Sequence, residues 1–93
     1  MRHFIIVKWN DPAAMKAKTE EIDALFQKTT EIPGVHDVTL HPSCSDRANR
    51  YDLMIEITMD EAALPAYDAC EPHHTWKTQY GGDIAHKVIF DCM

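Results

Sequence analysis

Cysteine, glycine and clustered positive charge are all scarce in this chain, and each scarcity excludes something. Cys44, Cys70 and Cys92 are an odd number at wide spacing, which predicts reduced thiols and no disulfide framework. Three glycines leave no glycine-rich phosphate loop; Gly81-Gly82 follows a helical stretch and reads as a C-terminal cap. Lys and Arg are scattered singly, 9 of them against 15 acidic residues, for a net charge of −6. A phosphate backbone or an acidic membrane surface would be repelled, so neither nucleic acid nor membrane is expected as a partner. The apolar run near the N-terminus, Phe4 to Val7, is too short for the core of a signal peptide, and no segment reaches the length of a membrane span. A cytoplasmic protein is the expectation. Repeats and polar low-complexity tracts are also missing, so residues 1–93 are read as one domain.

What is present is regular patterning. His3 to Trp9 is rich in β-branched and aromatic residues and reads as a strand, with His3, Ile5, Val7 and Trp9 on one face. Asp11 and Pro12 form a helix start, and Met15, Ile22, Leu25, Phe26 and Thr29 recur at helical spacing up to about Thr30. Pro33 and Gly34 then turn the chain. Val35 to His41 alternates as a second strand, with His36, Val38 and Leu40 on one face. A polar loop over 42–50 leads to a third strand, Tyr51 to Met59, with Tyr51, Leu53, Ile55, Ile57 and Met59 on one face. Asp60 is an N-cap candidate for a short or kinked helix to about Tyr67, with Pro65 an awkward interior residue. A second short helix is expected from Pro72 to Gly81-Gly82, and a last strand over His86 to Asp91.

The order β-α-β-β-α-β predicts an α+β, ferredoxin-like protomer: a four-stranded antiparallel sheet with helices on one face. Helices on one side leave the other side bare. The strands at His3–Trp9 and Tyr51–Met59 are read as supplying apolar side chains to both faces, so a second copy is expected to cover the open one, giving a homodimer.

The densest chemistry lies in Tyr67-Asp68-Ala69-Cys70-Glu71-Pro72-His73-His74-Thr75-Trp76, which gathers a phenol, a thiol, carboxylates, two imidazoles and an indole. Neutral imidazole is the usual proton carrier near pH 7. Cys70-x-x-His73-His74 lacks the second ligand pair that structural zinc needs, so no metal site is expected. No dinucleotide or nucleotide motif occurs, and no cofactor is expected.

Several of these stretches together resemble the stress-responsive A/B barrel (Dabb) family. They are Arg2-His3-Phe4-Ile5-Ile6-Val7-Lys8-Trp9, Ile32-Pro33-Gly34-Val35, Tyr51-Asp52, Asp60 to Tyr67, Pro72-His73-His74 and Val88-Ile89-Phe90-Asp91. The resemblance covers essentially the whole chain. It implies a dimeric α/β barrel with a small-molecule pocket between the sheet and the helices of each protomer. In a plant polyketide-cyclase member, a His after the Pro is a general base beside a helical Tyr. Carried over, the base is His74, the phenol Tyr67 and the strand imidazole His3; the pocket is lined by His3, Ile5, Val7, Tyr67, Glu71, His74 and Trp76. The family usually writes His-Pro-x-His, and Glu71 stands here at the first of those positions.

Two functions follow. The first is a binding or stress-response module whose pocket takes a small, largely apolar or aromatic molecule. The second is a cofactor-independent cyclase or isomerase using His74 as general base. Fold analogy alone would add a cofactor-free monooxygenase.

Overall fold

The computed structural model describes residues 1–93. Strand β1 (Arg2–Trp9) occupies the middle of a four-stranded antiparallel sheet, between β3 (Leu53–Met59) and β4 (Ile84–Cys92), and β2 (Val35–Pro42) forms the far edge beyond β3. The sheet order is therefore β2-β3-β1-β4. The connections carry α1 (Pro12–Lys16) and α2 (Thr19–Gln27) on one side of the β2–β3 pair in sequence, and α3 (Leu64–Ala69) and α4 (Glu71–Thr75) on the other.

The helix expected over 11–30 forms in two pieces. Asp11 caps α1 as predicted, its carboxylate accepting from the Ala14 N–H at 3.2 Å. The break falls at Ala17-Lys18, where the Lys18 N–H reaches the Met15 carbonyl and the Thr19 hydroxyl takes the Lys16 carbonyl. Asp60 does not cap a helix; its carboxylate pairs with His36 Nε2 at 2.9 Å instead. Pro65 is not awkward either. A 3-10 turn over Glu61–Ala63 comes first, so Pro65 falls in the first turn of α3, where its missing N–H is not needed. Gly81-Gly82 forms no left-handed cap: it opens a 3-10 turn, and only Gly34 has positive φ, at 92°.

The buried core is a cluster of 16 apolar residues between the sheet and the helices. Its register corrects the reading of the two faces. His3 pairs with Ile57, Ile5 with Ile55 and Val7 with Leu53, so both apolar strand faces point to the same, helix-covered side. Tyr51 lies before β3, with its ring tilted against His86 at 5.9 Å. A bulge between Val35 and Asp37 turns His36 outward and leaves Val35 and Val38 buried. The bare face is built from the alternate set. Phe4 and Ile6 of β1, Met54 of β3, and Val88 and Phe90 of β4 share it by register.

Candidate functional site

The helical layer covers β1 and β3 but stops short of β4. Val7, Ile5 and His3 face inward opposite Lys87, Ile89 and Asp91 in the β1–β4 register. The first three are buried and the last three exposed, because no helix lies over the edge strand. A cleft of about 290 Å³ results. Its strand wall is His3, Ile5, Lys87, Ile89 and Asp91, and its helical wall is Leu64, Asp68, His73, Trp76 and Lys77.

His3 is buried, and its Nδ1 lies 2.5 Å from Asp91 Oδ1, across the β1–β4 register pair. Asp91 thereby fixes the ring's orientation and favours a proton on that nitrogen. α3 delivers Tyr67 beside it, the rings meeting edge-on at 5.3 Å. α4 then brings His73 to the other side of Tyr67, at 4.9 Å between ring centres. His73 Nδ1 donates to the Asp68 carbonyl at 3.0 Å, which leaves Nε2 with its lone pair. Burial lowers the His73 pKa, and the Lys77 and Lys87 charges push the same way, so the ring is held neutral at pH 7. Tyr67 is fully buried, and burial drives its pKa well above the ordinary phenol value, with the Cys70 and Asp68 charges adding to the rise. Its hydroxyl meets no hydrogen-bonding partner. Buried polar atoms without partners are uncommon, since each costs about 1–3 kcal/mol.

Four of the seven expected site residues gather here: His3, Ile5 and Trp76 on the walls, and Tyr67 wedged between the two histidines. His74 does not join them. Successive helical residues point about 100° apart, and the phase that turns His73, Trp76 and Tyr80 inward turns His74 out. His74 is exposed, and the imidazole beside Tyr67 is that of His73. Val7 is packed in the core behind the cleft. Glu71 is exposed and orients neither histidine; it borders a wider groove of about 580 Å³ with Leu25, Lys28, Ile32, Pro33 and Cys70. That groove is larger, but no imidazole reaches it. Nowhere do three His, Cys, Asp or Glu side chains converge closely enough to hold a metal ion.

Asp91, Lys87, Ile89, Lys77, Asp68 and Leu64 were not anticipated. Asp91 had a signal: an acid inside an apolar closing strand invites the search for a partner. Which partner depends on register, and register is not written in one strand.

The sequence matches no family model, and no curated protein matches it. Solved structures do match. A dimeric ferredoxin-like protein of unknown function from Thermobifida fusca superposes with a TM-score of 0.76 at 20% identity, over 96% of this chain and 85% of that one. The chain has the ferredoxin-like fold. A Dabb family protein from Mesorhizobium loti with that fold matches with a TM-score of 0.64 at 14% identity, over 99% of this chain and 93% of its own. The hydroxynitrile lyase of Passiflora edulis gives 0.72 at 16%, over 96% and 87%. The likeness to the A/B barrel family read from the sequence is thus met at the level of the fold.

Proposed function

We propose that residues 1–93 act as one A/B barrel unit that pairs with a second copy and holds a small, largely apolar or aromatic molecule in the His3–His73 cleft. The observation that carries this reading is the Tyr67 hydroxyl, buried without a partner between two imidazoles whose rings line that cleft. Tyr67 is not itself on the cleft wall, so a water entering with the ligand, rather than a ligand oxygen, would complete its hydrogen bonding. Ile5, Leu64, Trp76 and Ile89 supply the apolar walls. The dimer reading is supported by the bare sheet face and by the dimeric ferredoxin-like proteins among the neighbours of the fold. Phe90 and Val88 are exposed there, which a second sheet would bury.

Thermal-shift screening of small aromatic and aliphatic compounds tests the binding role. Compounds that bind the native state raise Tm by an amount that grows with the logarithm of their concentration above Kd. They should stabilise the chain and fail to stabilise Ile89→Trp, whose indole would fill the cleft. Equal stabilisation of both proteins would place the ligand elsewhere and sink the proposal.

The second reading is proton-transfer catalysis in the same cleft, with His73 in the role first given to His74. It is favoured by the free Nε2 of a neutral His73 and by the His3–Asp91 pair. A lyase among proteins of this fold adds weight to it. Turnover that survives in His73→Gln would exclude His73 as the base.

A further inference from the structure

We infer that the pairing of two copies through the bare sheet face is switched by proton uptake at His41, the pair forming near neutral pH and separating in mild acid. This rests on that face being where the copies meet. Glu56 stands there on β3, opposite Phe4 of β1 and Thr39 of β2. Its Oε2 accepts from Arg2 Nε at 3.0 Å and its Oε1 engages His41 Nε2 at 2.8 Å, so each carboxylate oxygen has its own partner. Even without a second copy, the Glu56 side chain is only 19% exposed. A covering sheet would strip the remaining water from all three groups.

Charge balance decides the sign of the effect. With His41 neutral, its Nε2–H donates, Arg2 balances Glu56, and the cluster has no net charge. Protonation adds a second cation to a carboxylate that is already balanced. A surplus charge taken out of water is costly, and two-fold symmetry doubles it. The other charged groups of this face do not absorb it. Asp37 shares the face but lies four residues from His41, about 13 Å along β2. Lys8 gives its ammonium to the Arg50 carbonyl at 2.8 Å, and His86, opposite Lys8, tilts its ring on Tyr51; neither supplies negative charge. From the helical layer, α2 carries Glu20 and Asp23 to a groove along the β2 edge that His41 does not line. Imidazole titrates near pH 6.5, which places the switch in the mildly acid range.

Sedimentation equilibrium of the full chain at about pH 7.5 and about pH 5.5 tests this, with circular dichroism checking the fold at each pH. The dissociation constant of the native pair should rise about tenfold or more in acid, as protons are taken up on separation. His41→Gln keeps a side-chain donor that never becomes charged, so its two constants should agree within about twofold. Arg2→Gln should reverse the sign. Without Arg2, protonated His41 becomes the counter-charge to Glu56, and this variant should pair more tightly in acid. Both side chains are about half exposed, so both variants should fold. A native constant that ignores pH would overturn the inference and leave pairing through this face standing. So would a His41→Gln chain that keeps the native dependence, or an Arg2→Gln chain that still weakens in acid or pairs at neither pH. A native chain that is monomeric at both pH values would count against the pairing itself, and against the inference with it.

Discussion

Tyr67 owes its position to packing, since its hydroxyl is stripped of water and given nothing in return. Removing that oxygen should therefore not harm the empty fold. Tyr67→Phe is expected to leave stability unchanged or raise it by up to about 1 kcal/mol in thermal denaturation, while weakening ligand binding. A marked loss of stability would mean that the hydroxyl has a protein partner after all. His73 makes a pH prediction. Its folded pKa is lowered by burial and by the two lysines, so the unfolded chain binds the proton more readily. The native state is then favoured above the unfolded value of about 6.5 and loses that advantage as pH falls below it. The His73 ring should titrate below about 6.5 by NMR, and His73→Gln should flatten the stability profile in that range. At this scale the sequence was legible for His3 and Tyr67. It was ambiguous for the two adjacent histidines, because one residue of helical phase decides which one faces inward and Pro72 fixes the phase only in three dimensions.

Among the elements, the turn into β2 is the most constrained. Gly34 has φ of 92°, and an added Cβ would come within 2.9 Å of the Ala63 Cβ at the start of α3. Gly34→Ala is expected to cost about 1–3 kcal/mol, read as a lowered midpoint in urea. A neutral result would show that this turn relaxes freely. The strands were legible because their alternation is strong: β3 buries Leu53, Ile55, Ile57 and Met59 as its pattern demands. Less legible were the departures from ideal repeats. The break between α1 and α2 depends on a Thr19 hydroxyl taking a backbone carbonyl. The bulge at Val35–Asp37 depends on the partner strand, and so does the pairing of Asp91 with His3. Contacts of this kind join distant residues, here 88 positions apart, and no local pattern announces them.

For the molecule as a whole, the expectation of an open apolar sheet face holds, though on other residues than those first read. Phe4, Ile6, Met54, Val88 and Phe90 make that face, and Arg2, Glu56 and His41 form a polar network beside them. In the proposed pairing through this face, Phe90→Glu should convert dimer to monomer, raising the dissociation constant at least thirtyfold, or about 2 kcal/mol, in analytical ultracentrifugation. An unchanged sedimentation profile would count against pairing through this face. On the same face, hydrogen bonds from His41 first and Arg2 second hold the Glu56 carboxyl below the ordinary carboxylate range. Its contribution is fully present above the ordinary glutamate value of about 4.3 and disappears as pH falls through the lower folded value. Glu56→Gln should therefore reduce the acid sensitivity of unfolding.

The central claim is that the small cleft along β4, and not the larger groove beside α4, is where this protein meets its ligand. Chemical-shift mapping of the 15N-labelled chain, titrated with a set of small aromatic and aliphatic acids and amides, tests it most directly. The account predicts shifts centred on His3, Ile5, Leu64, His73 and Ile89. Shifts centred on Leu25, Ile32 and Cys70, or no shifts at any concentration reached, would contradict it.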